Sequence, residues 1–284
     1  MAKKRDRIKS ELYVIFEKVE YTIMHIIVTV KPVPNFNTPV YYLKNLSVDR
    51  LRTEMVLNPD DLKAMRLAKA LRSVYGGSVT AISMAPESAR GLLRKLFAYG
   101  ADTVIHITDP SFVGSDSYAT SYILSKAIAL LPKAEMVISG ARSMDGETGQ
   151  VAPSMAEWLG YPHLCRLTEM PEVHEEAIHY TQQNGNAYND LYCRLPVVLT
   201  VGDGLDNKGE IPLMSINELY CKTNRTVDVL HAAALGLVDR EFGRNFSKTR
   251  VVGSKISQTA YRQRKQEQVQ DSSALWRKMI GKEE

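Results

Sequence analysis

Residues 140–151 read GARSMDGETGQV, a run with three glycines set between an apolar stretch and a helical one. Glycine lets backbone come close to a ligand, and a helix start offers N–H groups without intrahelical partners at the positive end of the helix dipole. That combination holds anions, phosphate above all. Gly146 and Gly149 would allow the close approach, Thr148 would cap the helix or bond a phosphate oxygen, and Arg142 would supply a positive charge. Asp145 and Glu147 act against this, because carboxylates repel phosphate. The anion reading therefore requires both to face away, accepting from backbone N–H groups or ligand hydroxyls. The plainer alternative is a loop that only caps the next helix.

The elements around this loop alternate. Ile26–Val30 is a short β-branched run, and Asn58-Pro59-Asp60-Asp61 is a helix start with Asn58 as N-cap and Pro59 at the first position. Leu62, Met65, Ala68 and Leu71 follow at helical spacing, and Gly76-Gly77 ends that helix. SVTAIS is the next strand, Glu87–Ala98 a helix closed by Gly100, and Asp102–Ile107 a strand. Ser117–Leu130 is a helix, Glu135–Ser139 a strand, and QVAPSMAEWLG a helix closed by Gly160. Strands alternating with helices predict an α/β fold with a parallel sheet, whose ligands lie beyond the carboxyl ends of the strands. Four loops should converge there: after Val30, before Asp60, after Ser83 and after Ser139. Beyond Tyr161, residues 174–201 read as antiparallel strands turning at Asn184-Gly185-Asn186, a flap on the same sheet.

The bulk numbers narrow the classes. With 284 residues, 44% hydrophobic and 24% charged, the chain is long enough for one large folded domain with appendages. A net charge of +4 suits an acidic ligand, and no basic stripe with interleaved aromatics points to nucleic acid. Three cysteines without CxxC spacing fit a reducing cytoplasm rather than a disulfide framework or zinc site. No apolar run reaches the roughly 18 residues of a membrane span, and the amino end is a poor signal peptide. The organisation expected is an extension over 1–23, with Met24 as an alternative translation start, an α/β domain with its flap over 24–240, and a C-terminal arm and polar tail over 241–284. Leu275, Trp276, Met279 and Ile280 give that tail one apolar helical face. GxxxxGK[ST] is absent, GDGLDNKG at 202–209 lacks the dinucleotide spacing, and no nucleophile–base arrangement stands out. Residue chemistry alone thus leads to an α/β protein with an anion site at its sheet edge.

Taken as an ordered set, KPVP at 31–34, LNPDDLKAMRLAKAL at 57–71, GGSVTAISMAP at 76–86, GAD at 100–102, FVGSDSYATSYIL at 112–124 and DGETGQVAPSMAEWLG at 145–160 resemble the β subunit of electron-transfer flavoproteins. The resemblance covers roughly Met24 to Val252. It implies a parallel-sheet nucleotide-binding fold of the adenine nucleotide α-hydrolase-like type, and an electron carrier rather than a free-standing enzyme. It also implies an obligate heterodimer with a flavin-carrying α subunit and service to a flavin-dependent dehydrogenase, acyl-CoA type. The implied cofactors are FAD in the α subunit and an adenine nucleotide here, either FAD or AMP. The implied nucleotide residues are Thr29, Asn58, Pro59, Asp60, Asp61 and Met84, together with the loop Gly140, Ala141, Arg142, Ser143, Met144, Asp145, Gly146, Glu147, Thr148, Gly149, Gln150 and Val151. The Asp-Gly-acid-Thr-x-Gln-Val form of that loop resembles anaerobic and electron-bifurcating members, which hold FAD. Ala85 and Ala152 stand where those members carry glycine, each adding a methyl near the expected ligand. IPLMSINELY at 211–220 resembles the loop that anchors onto partner dehydrogenases, with Met214 and Ile216 as its aliphatic contacts. The rival reading is a stand-alone adenine-nucleotide-binding module of the stress-protein kind, without a redox role; a minimal module of that kind would not need the flap and arm after Tyr161.

Overall fold

The computed structural model describes residues 24–43, 48–50, 52–167, 169–202, 205, 225–237 and 242–249. All fall in a compact unit that ends at Arg250. The extension 1–23, Met214, Ile216 and the tail residues Leu275 to Ile280 lie outside the described residues.

Seven strands form a continuous parallel sheet: β1 (His25–Thr29), β4 (Ser78–Met84), β5 (Thr103–Ile107), β6 (Met136–Gly140), β7 (His163–Leu167), β11 (Val197–Val201) and β12 (Asp228–Leu230). Their spatial order is β7-β11-β6-β1-β4-β5-β12. β9 (Ala177–Asn184) runs antiparallel beside β7, with β10 (Ala187–Arg194) and the short β8 (Glu172–Val173) paired to it. A two-stranded ribbon of β2 (Pro32–Pro34) and β3 (Met55–Leu57) is inserted after β1. The helices are α1 (Pro59–Tyr75), α2 (Arg90–Leu93), α3 (Ser117–Ala129), α4 (Val151–Leu159) and α5 (Gly243–Phe246).

Burial explains the layering. The central strands β1, β6 and β11 are apolar on both faces, as a parallel sheet covered on both sides requires. On one face Ile26, Val28, Ala81, Val104 and Ile138 pack under Met65, Ala68 and Leu71 of α1 and under Leu93 and Leu96. On the other face Ile27, Ile82, Ile105, Val137 and Val198 pack under Ile123 and Ala127 of α3 and under Met155 and Ala156 of α4. Ala152 belongs to this second cluster and is 3% exposed, so its methyl is packed in the core.

Two expectations are corrected. Glu87–Ala98 is not a uniform α-helix: 3₁₀ turns at Glu87–Ala89 and Arg94–Phe97 flank the single turn α2, as is common where short helical pieces begin and end. The antiparallel region also stops earlier than the pattern implied. The ribbon turns at Gly185-Asn186 as expected, but LPVVLTV supplies β11, which is buried on both faces and parallel to β6 and β7. The α helix at 117 starts on Asp116, whose carboxylate accepts from Ala119 N at 3.0 Å and Thr249 N at 2.8 Å, fixing the segment 242–249 beside α3.

Gly77 shows how tightly the first strand is held. Its φ is +99°, and Ser78 N donates to Met24 O at 2.8 Å. A Cβ at Gly77 would overlap Met24 O and lie 2.7 Å from its carbonyl carbon. Gly77→Ala is therefore expected to destabilise the protein by about 3 kcal/mol, combining overpacking with a left-handed backbone. Urea unfolding measures this, and a midpoint equal to the parent's would refute it.

Candidate functional site

The order of the strands contains one reversal. From β1 the chain moves outward through β4 and β5 using α1 and the 87–97 segment on one face. It then crosses back by α3 to β6, on the other side of β1, and leaves by α4 on the opposite face. The carboxyl ends of β1 and β6 thus diverge, and an open α/β sheet has its binding crevice at such a switch point. The loops after β1 and β6 and the start of α1 all meet there.

Asp61 joins them. It is 5% exposed, and its carboxylate accepts from Lys31 N at 2.8 Å, just past β1, and from Gly140 N at 3.2 Å, the last residue of β6. Burial pushes its carboxyl up to about 7, and hydrogen bonds from Lys31 N, the Asn58 side chain and Gly140 N only partly offset that. Gly140 carries no side chain here because a Cβ would overlap Asp61 Oδ1 and sit 2.8 Å from the Asp60 carbonyl carbon.

Asn58 holds the next part of the loop. It occupies the expected N-cap position, its carbonyl accepting from Leu62 N at 3.1 Å, but its side chain makes no capping bond to α1. Instead Nδ2 donates to Arg142 O at 2.9 Å and Oδ1 accepts from Met144 N at 3.1 Å, so one buried amide satisfies both backbone polarities of the loop. Pro59 at the first helical position has no N–H of its own to cap. Asp60 pairs with Lys63 of the same helix at 3.1 Å, with its Cβ close to Gly140.

The two loop carboxylates separate. Glu147 is exposed, with φ +50°, while its N–H donates to Ser143 O at 2.9 Å. Asp145 points inward to Lys31 Nζ at 2.6 Å, with Arg50 Nη2 at 3.8 Å. Burial raises the Asp145 carboxyl, but the hydrogen bond and charge of Lys31, Ser143 and Arg50 outweigh it and hold the group below the usual carboxylate range. The expected backbone partners of Asp145 are thus replaced by two cations. Gly149 takes φ +60°, Thr148 Oγ1 accepts from Gln150 N at 3.4 Å, and α4 begins at Val151. Pro153 removes one first-turn donor, which leaves the Val151 and Ala152 N–H groups as first-turn donors without an intrahelical partner. Arg142, Met144 and Gly146 are exposed, and Ser143, whose hydroxyl lies 3.3 Å from Lys31 Nζ, and Ala141 are half-buried.

Thr29 ends β1 beside Ser139 of β6 in the same register, both nearly buried. Met84 ends β4 and packs on the second core cluster, offering a hydrocarbon wall on the β4 side of the crevice. The turn after it is fixed by Ala85 N to Ile107 O at 3.1 Å and by His106 Nε2 on Ala85 O at 2.9 Å. A carbonyl only accepts, so Nε2 carries the proton, and burial lowers the His106 pKa and keeps the ring neutral.

Residues 45–217 match the Electron transfer flavoprotein domain family. Over 236 residues the chain is 32% identical to an electron transfer flavoprotein subunit beta of Thermoanaerobacterium thermosaccharolyticum, covering 83% of this chain and 89% of that one. The chain belongs to the electron transfer flavoprotein family. It is also 34% identical over 184 residues to Protein FixA of Bradyrhizobium diazoefficiens, with 63% of this chain and 64% of FixA covered. A shorter match, 38% over 143 residues, covers 50% of this chain and 54% of a protein named acryloyl-CoA reductase electron transfer subunit gamma from Anaerotignum propionicum.

Within this electron transfer flavoprotein family member, the structure brings Thr29, Asn58, Asp61 and the loop 140–151 to one crevice, with Met84 at the same sheet edge. Asp60 lies against Gly140 with its carboxylate paired to Lys63, and Met214 and Ile216 lie outside the described residues. Lys31, Arg50 and His106 were not singled out from the sequence. Lys31 follows a buried β run immediately, a signal that was available; Arg50 meets the loop, and His106 the turn after β4, only through folding, and neither left one.

Proposed function

We propose that the chain is the β-type subunit of a heterodimeric electron transfer flavoprotein, holding an adenine nucleotide, FAD with AMP as the alternative, in the crevice between β1 and β6. The observation that carries this is the fixed assembly of Asp61, Asn58 and Lys31 with the loop 140–151 at the switch point, next to the start of α4. The residues fit such a ligand. α4 begins directly after the loop, Met84 adds apolar surface at the same sheet edge, and Asp145 is paired with Lys31 rather than left opposed to phosphate. A bound flavin would supply the redox chemistry; the chain itself positions it, excludes water and sets its electrostatics.

In this reading the protein is a carrier in the cytoplasm, with no membrane insertion and no nucleic-acid partner. An α subunit with its own FAD completes it, and electrons pass between a flavin-dependent dehydrogenase, acyl-CoA type, and a second acceptor. Resemblance to an electron transfer subunit of acryloyl-CoA reductase supports a CoA-ester partner. Met214 and Ile216 are the proposed dehydrogenase contact, since aliphatic anchors that fill a partner's pocket commonly carry such interfaces. Residues 24–240 form the nucleotide-binding domain with its flap, and 241–284 the arm and tail.

Co-expression with the α-type subunit, followed by denaturation and quantification of FAD and AMP per heterodimer, tests this reading. Two FAD are expected. One FAD and one AMP would make the protein a simple carrier, and a complex without nucleotide would overturn the proposal.

A further inference from the structure

The geometry points to a second ligand site on the opposite edge of the sheet. It is a groove between the ends of α3 and α4, and it takes an organic acid with a flat apolar body and a single negative charge. The site is separate from the crevice and does not rest on the nucleotide reading.

Both helices run from the carboxyl end of one strand back to the amino end of the next, so Ala129 and Leu159 close them at the amino edge of the sheet. The nine residues of α4 alone set that edge about 13 Å from the crevice, at 1.5 Å per residue. A proline stands two residues past each cap, Pro132 after Leu130 and Pro162 after Gly160, so neither helix runs on. The two connections leave a groove of about 610 Å³, a volume usual for small-molecule sites. Tyr122, Trp158 and Tyr161 line it together with Ile128 and Leu159, and Lys126 and Lys133 bring positive charge to it.

The aromatic wall is set in place before a ligand arrives. Trp158 Nε1 donates to the buried Ser121 Oγ at 3.2 Å, and Tyr122 meets the indole edge-on with ring centroids 5.0 Å apart. Lys126 Nζ stands 5.2 Å from the centre of the Tyr122 ring, which puts its charge beside that wall. The indole nevertheless stays 39% exposed, so a fixed aromatic face is turned to solvent. A flat ligand can stack there while its carboxylate meets the lysines. The helix ends, each equivalent to roughly half a negative charge, offset part of the lysine charge, and Glu135, whose charge reaches Tyr161, offsets more. The groove therefore suits one carboxylate rather than a phosphate group. Lysines that merely complement helix ends would account for the charges, but not for an indole that is both held and exposed.

Calorimetric titration of 2-naphthoate, and of its uncharged counterpart 2-naphthamide, into the full-length protein purified with its α-type subunit tests the proposal. Naphthoate should bind saturably below about 1 mM and more tightly than the amide. Excess AMP should leave that affinity unchanged, which separates the groove from the crevice. Lys126→Gln combined with Lys133→Gln should narrow the naphthoate-to-naphthamide affinity ratio by about tenfold. Trp158→Leu should weaken both ligands by about tenfold. Both lysines are exposed, so their variant decides the matter even where Trp158→Leu destabilises the fold. Absence of saturable binding would overturn the proposal, as would displacement by AMP or an unchanged ratio in the lysine variant.

Discussion

Gly140→Ala is expected to yield a heterodimer that carries one adenine nucleotide fewer and unfolds more readily. The added methyl group would overlap Asp61 Oδ1 and approach the Asp60 backbone to 2.8 Å. Neither neighbour can yield cheaply. Asp60 C belongs to the first turn of α1, and Asp61 is fixed by the Lys31 and Gly140 N–H groups. The methyl must therefore push α1 away from β6, which separates the Asn58 amide from the 142–144 backbone. Overpacking of this kind costs about 3 kcal/mol, and leaving the buried Asp61 acceptors unpaired adds to that. Nucleotide content and urea midpoint are measured on the same preparation. A variant with full nucleotide and an unchanged midpoint would show that β6 and α1 are not held as described. Gly146→Ala is the matched control: its Cβ would meet nothing closer than Ser143 Oγ at 3.6 Å, so stability should stay near the parent's.

The second large effect is a dependence on pH. Asp61 has its carboxyl pushed up to about 7 by burial, from an ordinary value of 3.8. Because the native protein keeps this proton where the unfolded chain has released it, the native state binds more protons between about pH 4 and 7, and stability falls as pH rises through that window. The contribution is fully present below about pH 4 and is gone above about pH 7, with a span of at most about 4 kcal/mol. Asp145 works with the opposite sign. Its lowered carboxyl contributes stability above the ordinary aspartate range that is lost on acidification, so the two residues together place the optimum in the mildly acidic region. Unfolding free energies of wild type and Asp61→Asn across pH 4–8 separate them. The variant is expected to lose the decline between pH 4 and 7 while starting lower, because an amide can accept from only one of the two N–H groups. An equal decline in both proteins would remove Asp61 as its source.

In the parallel core β1, β4, β5 and β6 were readable because each is a short apolar run with β-branched residues, and Pro59, Gly76 and Gly160 marked helix ends, whereas β7 and β12 carry no such run. The place of the loop after β6, between a strand end and a helix start, was readable because its glycines follow an apolar run and precede a helical one. β11 was misread as part of the flap because it follows a true hairpin, and only its two-sided burial, a tertiary property, distinguishes it. Asn58 was placed correctly as the N-cap, but the partner of its side chain was hidden for a related reason. An Asn before Pro is a local signal for a helix start, and it remains one, but the side chain is drawn off by unpaired loop backbone 84 residues away. Local chemistry identified the position, while long-range hydrogen bonding chose its partner. Lys31 and Arg50 are the same case on the electrostatic side, since an ion pair between β1, the β2–β3 connection and the β6 loop exists only once the sheet has closed.

The Asn58-Pro59 sequence has one more consequence, for the protein's chemical ageing. An asparagine ordinarily deamidates when the next residue's peptide nitrogen attacks its side-chain carbonyl and closes a five-membered imide. That route needs an N–H at the following position, and Pro59 has none. Conversion to aspartate would replace the donor that Arg142 O requires with an acceptor, and would place a new carboxylate close to Asp61. The proline that lets α1 start without an N-cap bond thus also shields, over the lifetime of the molecule, the one amide that keeps the loop in place.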